Sequence, residues 1–187
     1  IYEEGEPIKT YTKESASFIR DNRVQSIYID QQQNCWIGTQ HGLGVWISDS
    51  TGFVFDKIIH DNEYLTATSV TDITEDDTGK KWIATADIGI FSVEGDPRHI
   101  EGLVFKNYTV ENGKISTHAI NVLHHDSSGR LWAGAESGRL YLYDNESDSF
   151  IDKSPSFSVL GTLISSIEED ERGFLWVGTN NGLARIG

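Results

Sequence analysis

A chain of 187 residues with 37% hydrophobic content has room for one large all-β domain or two small domains. Fifteen basic against 29 acidic residues leave a formal net charge of −14, which disfavours nucleic acid backbone and anionic membrane as partners. No run of about 18 apolar residues occurs to cross a bilayer as a helix, and a signal peptide and methionine are both missing, so the reading is a mature product or an excised piece of something longer.

In chain order, the first element is an outer-strand segment around residues 8–12, ending in KTYT (9–12). The first repeat unit then runs VQSIYIDQQQNCWIGTQHGL from Val24. The phrase returns as VTDITEDDTGKKWIATADIGI from Val70, INVLHHDSSGRLWAGAESGRL from Ile120 and ISSIEEDERGFLWVGTNNGL from Ile164. Its tryptophans, Trp36, Trp82, Trp132 and Trp176, recur every 46, 50 and 44 residues, a period expected of propeller blades or similar arrays.

Each unit carries an apolar pair three apart (Val24/Ile27, Val70/Ile73, Ile120/Leu123, Ile164/Ile167) on a first strand. An aspartate follows three residues later, at Asp30, Asp76, Asp126 and Asp170. Three copies continue as D-x-x-G, with Gly79, Gly129 and Gly173 supplying a left-handed turn residue; in the first copy Asn34 is expected to serve one place later. The tryptophan then opens a second strand. The small residue two places on (Gly38, Ala84, Gly134, Gly178) shares its face and lets a neighbouring blade approach. Third strands follow, as in RLYLYD (139–144), and looser fourth strands near 53–59, 103–109 and 149–153.

The expected fold is therefore all-β, a β-propeller of four-stranded antiparallel blades with about four blades present. The whole chain, 1–187, reads as a single propeller segment with units at approximately 13–60, 61–109, 110–153 and 154–187. Cys35 is alone, which excludes an intrachain disulfide, and it is read as a small half-buried strand residue.

The recurring string, apolar-x-x-I-x-x-D-x-x-G-x-L-W-I-G-T-x-x-G-L, resembles the two-component regulator propeller repeat. Tyr11-Thr12…Val24 and Tyr108-Thr109…Ile120 fit the same pattern. The resemblance implies seven-bladed propellers in the periplasmic sensor half of membrane-spanning, commonly hybrid, histidine kinases that often control carbohydrate use. It places the membrane helix and the kinase outside this chain. Four blades depart from seven, so the segment is expected to be part of a larger propeller or to close in an unusual way.

Candidate chemistry is sparse. His124 and His125 are neighbours on a strand and point to opposite faces, so they cannot chelate one ion together, and no metal-binding spacing is present. No catalytic residue, cofactor or metal is expected. Binding must come from residues that differ between units, since the shared ones build the scaffold. On the loops expected at one end these are Asn22, Arg23, His41, Tyr64, Asp87, His118, Glu136, Asn180 and Asn181. Amides, carboxylates, an arginine and a tyrosine suit a small polar or saccharide ligand. The leading reading is a non-enzymatic sensor, homodimeric in the full receptor. The alternatives are a propeller enzyme of the streptogramin-lyase type, which needs a convergent His/Glu/metal cluster, and a scaffold for protein contacts.

Overall fold

The computed structural model describes residues 9–47, 52–54, 59–60, 63–64, 68–156 and 161–187. Each repeat unit is organised by its first turn. The aspartate Oδ1 accepts the backbone N–H four residues on, at 2.8 Å from Asn34, 3.2 Å from Lys80, 2.9 Å from Arg130 and 3.1 Å from Phe174. Its Oδ2 accepts the indole N–H of the tryptophan six residues on, at 2.8, 2.8, 2.8 and 2.9 Å through the four copies. One carboxylate thus closes the turn and fixes the ring that follows it. Gly79, Gly129 and Gly173 take φ of +82°, +77° and +80°. In the first copy Gln33, not Asn34, is left-handed, with φ of 67°. Gln33 stands three residues after the aspartate, as the glycines do, while the Asn34 side chain is held by Asp30 at 2.9 Å.

These turns generate four sheets. The first joins β1 (Val24–Ile29), β2 (Cys35–Thr39), β3 (Gly42–Trp46) and β4 (Gly52–Val54) in sequence order. A two-residue ladder, β5 (Ile59–His60) with β6 (Glu63–Tyr64), comes next. The second sheet is β7 (Val70–Glu75), β8 (Lys81–Thr85), β9 (Ile90–Glu94) and β10 (Val104–Tyr108). The third is β11 (Ile120–His125), β12 (Leu131–Ala135), β13 (Leu140–Asp144) and β14 (Ser149–Asp152). The fourth has three strands, β15 (Ile164–Glu169), β16 (Leu175–Thr179) and β17 (Gly182–Ile186). All pairs within the four sheets are antiparallel, and helix is confined among the described residues to 3-10 turns at Ile100–Gly102 and Ser154–Ser156.

First strands line the inside of the array: β1 lies beside β7, β7 beside β11, and β11 beside β15. Each carries a register shift after its first residue, a bulge that turns the next side chain toward the neighbouring blade. From that position Thr71 Oγ1 donates to Ile120 O at 2.6 Å, and Asn121 Nδ2 donates to Ile164 O at 3.1 Å. From the second unit on, the apolar pair faces the blade before it. Val70 and Ile73 pack on Trp36, Leu43 and Val45; Ile120 and Leu123 pack on Trp82 and Ile90; Ile164 and Ile167 pack on Trp132 and Leu140. Burying side chains of this size stabilises by about 1.5–3 kcal/mol each. The small residue after the tryptophan makes the approach possible: a Cβ on Gly38 would lie 2.7 Å from Val70 Cγ1.

The arc is open at both ends. Ile27 is 64% exposed where its counterpart Ile73 is 4% exposed, and Leu183 at the far edge is 66% exposed. Residues 9–12, expected as an outer strand, form no strand. They lead instead into a turn that lays Phe18 against Tyr11 and Trp46, and Ala16 and Ile19 against Ile37, on the outer face of the first sheet. With no ladder to β17, the segment does not complete the fourth blade. Cys35 opens β2 half-buried, its thiol pushed up by burial and by the Asp30 charge.

Candidate functional site

The β2–β3 turns and the connections into the first strands share one end of the array, and the candidate binding residues other than Tyr64 fall there. A backbone clasp repeats in every blade: Gln40 N donates to Arg23 O, Ala86 N to Ser69 O, Glu136 N to Ala119 O and Asn180 N to Leu163 O, at 2.9 to 3.2 Å. Side chains reinforce it, and in doing so they occupy the groups expected to bind. Asp21 accepts from Arg23 Nε at 3.0 Å and lies 2.9 Å from His41 Nδ1. The Arg23 hydrogen bonds hold the Asp21 carboxyl far below the ordinary carboxylate range. Asn22 is held by Lys13 N at 2.8 Å and by Glu14. Asp87 accepts from Thr68 Oγ1, and Asn180 exchanges two hydrogen bonds of 2.9 Å with Thr162.

The structure therefore gathers Asn22, Arg23 and His41 in one cluster on the first blade. Two residues after Asp87, the Gly89 N–H donates to His118 O at 2.8 Å; the His118 ring lies 3.3 Å from Glu111. Glu136 is exposed on the third blade, and Asn180 and Asn181 belong to the fourth. Tyr64 lies in β6, and its side chain falls outside the described residues.

The opposite end, where the aspartate turns lie, holds a second arrangement. The residue before the motif aspartate reaches into the preceding blade's turn. Glu75 Oε2 accepts the Gln31 N–H at 2.9 Å, and Glu169 Oε2 accepts the Ser127 N–H at 2.7 Å. Lys81, only 1% exposed, sits between the first two blades with its Nζ 3.1 Å from Glu75 and 3.6 Å from Asp30, and donates to Gly79 O at 2.9 Å. Between the second and third blades the place of Glu75 and Glu169 is taken by His125. Its Nε2 lies 3.8 Å from the Asp77 carboxylate, beyond hydrogen-bond reach, and the Asp77 N–H is uncapped among the described residues. A cleft of about 160 Å³ opens there, lined by Asp76, Asp77, Trp82, His125, Tyr143 and Asn145 among others.

The sequence reading missed this cleft, because it assigned the aspartate turn wholly to the scaffold. The signal was present: the residue before the motif aspartate is Ile29, Glu75, His125 and Glu169, a variable place inside an otherwise shared phrase. His124 and His125 do face opposite ways, His125 toward Asp77 and His124 into a buried spot where its Nε2 has no partner. Among the described residues no three His, Cys, Asp or Glu side chains converge as a metal site.

Residues 19–41 and 158–181 match the family described as "two component regulator propeller". The match falls on the first and fourth units and covers about a quarter of the chain. The extracellular domain of BT3049 from B. thetaiotaomicron, described as a hybrid two component system, superposes over 96% of this chain and 23% of its own, with a TM-score of 0.76 and 21% identity. The extracellular domain of BT4673 from the same organism superposes over 90% of this chain and 23% of its own, with a TM-score of 0.74 and 25% identity. A histidine kinase P4 from Formosa agariphila is 22% identical over 123 residues, 64% of this chain and 8% of that protein. The chain thus spans a small fraction of the proteins it resembles. Virginiamycin B lyase from Staphylococcus aureus shares the fold at a TM-score of 0.64 and 18% identity, over 88% of this chain and 52% of its own. No helix among the described residues is long and apolar enough to cross a membrane.

Proposed function

We propose that this propeller segment is an extracytoplasmic, periplasmic sensor module of a two-component signal-transduction protein, and that it takes a small polar or saccharide ligand. The observation that carries the reading is the agreement between the repeat phrase and the fold of two extracellular domains from bacterial signalling systems, each matched over nine-tenths or more of this chain. The open apolar faces at both ends of the arc support its being part of a larger propeller. In the receptor the module is homodimeric, carries no catalytic residue of its own, and is joined to the membrane and to the output domain by other segments.

A sensor works only if its ligand binds one of two states more tightly than the other. Two measurements test this together: thermal unfolding across a panel of mono- to oligosaccharides, and the sedimentation of the purified chain with and without any sugar that shifts it. A sugar that raises the melting temperature and changes the sedimentation coefficient supports the reading. Flat melting curves across the panel count against direct sugar sensing.

A further inference from the structure

We propose that the cleft between the second and third blades is a binding site for one neutral, hydroxylated ring, built by replacing the blade-to-blade glutamate clasp with His125. The proposal rests on the sensor reading above and supplies its site.

The departure is local and specific. At the first-to-second and third-to-fourth junctions a glutamate from the inner strand takes the free N–H of the preceding turn. At the second-to-third junction no group takes the Asp77 N–H among the described residues, and the His125 ring stands 3.8 Å from the Asp77 carboxylate, so the turn is not sealed. Gly129 keeps the other wall back, since a Cβ there would lie 3.1 Å from Asp77 Oδ2. The volume of about 160 Å³ equals roughly five waters' share of liquid, which suits a single sugar ring and no more.

The lining sets the ligand's chemistry. The Asp77 carboxylate, 81% exposed, accepts; its N–H donates; the Asn145 amide, which makes no hydrogen bond among the described residues, does both; and the His125 ring offers one of each when neutral. Groups that each donate and accept are what match alternating donors and acceptors, and hydroxyls have that property. The Tyr143 ring supplies an apolar wall over the Trp82 indole, its centroid 4.7 Å from that ring. No lysine or arginine lines the cleft, and the chain carries a net charge of −14, so an anion is disfavoured.

The test uses the chain labelled at histidine with ¹⁵N and titrated with glucose, galactose, mannose, xylose and arabinose, each followed by NMR. The expected result is a saturable shift of the His125 ring signals with at least one sugar. H125Q sets an amide where glutamates clasp the other junctions, without adding charge; because it removes the reporting ring, it is titrated beside the wild type by isothermal calorimetry, and binding is expected to be lost. N145A, at an exposed turn, is expected to weaken binding about tenfold. Saturable binding that survives H125Q and disappears in H41A would overturn this site while leaving sugar sensing intact. No shift with any of the five sugars overturns both the ring assignment and direct recognition of these monosaccharides. Binding of tetramethylammonium in their place would overturn the hydroxylated class.

Discussion

Trp132 Nε1 donates to Asp126 Oδ2 at 2.8 Å, six residues back along the chain, and the same geometry recurs in every blade. Removing the indole donor while keeping an aromatic body isolates that bond. W132F is expected to lose about 1–3 kcal/mol, because the buried Asp126 carboxylate loses one of its partners. Urea unfolding followed by circular dichroism measures it, and an unchanged midpoint would mean that the bond merely accompanies the turn.

The same carboxylates make the fold acid-labile. For Asp30, Asp76 and Asp126 burial acts against ionisation, but the indole, side-chain and backbone donors outweigh it and hold each pKa below the ordinary value. Their contribution is complete above the unfolded pKa of about 3.9 and disappears as pH falls through the depressed values. The near-ultraviolet tryptophan dichroism is expected to collapse between about pH 4 and pH 2. A signal unchanged at pH 2 would contradict this account.

Asp72 has the opposite sign. Burial, together with the Glu168 charge, pushes its carboxyl up to about 6, although it accepts Leu123 N at 2.7 Å and Ile73 N at 2.9 Å. The fold then binds this proton more tightly than the unfolded chain does, so its contribution falls as pH rises from about 4 to about 6. Relative to D72N, the wild type should lose about 2 kcal/mol across that window. Parallel pH–stability curves for the two proteins would show that Asp72 titrates normally.

Lys81 bridges two buried carboxylates across a blade junction. K81M leaves Asp30 and Glu75 uncompensated and is expected to cost about 3–5 kcal/mol. The further change E75Q in that background should recover part of the loss. Equal midpoints for K81M and the wild type in urea would show that the carboxylates find other partners.

Blade packing predicts a contrast between two glycines. A Cβ at Gly134 would lie 2.8 Å from Val122 Cγ1 and 2.9 Å from Ile164 Cβ, inside a packed junction. At Gly178 it would meet chiefly Ser166 Oγ, a hydroxyl that can rotate away. G134A is expected to destabilise by about 1–3 kcal/mol, and G178A by clearly less. Equal losses in thermal unfolding would contradict the open far face.

Much of the scaffold was legible from the chain. The period, the aspartate turn and the small residue after tryptophan each follow from local chemistry, and β11 to β14 lie where the alternation put them. The KTYT segment, expected as an outer strand, forms none, because a strand needs an edge to pair with and none is offered there among the described residues. The left-handed role of Gln33 was missed because it is set by position in the turn; residue preference favoured Asn34. Apart from Tyr64, which lies in β6, the loop-end residues lie in loops, yet several of their polar groups fasten one loop to the next, a use that composition does not distinguish from ligand binding.

The repeated phrase by itself determined the sheet, its turns and the spacing of the blades, because those depend on backbone and side-chain contacts within about twenty residues. Only the tertiary structure decided what lies between blades: the glutamate clasps, the Lys81 bridge and the cleft beside His125. Those join residues more than 40 positions apart, and whether such a pair seals a junction or leaves it open depends on distances that no local pattern encodes.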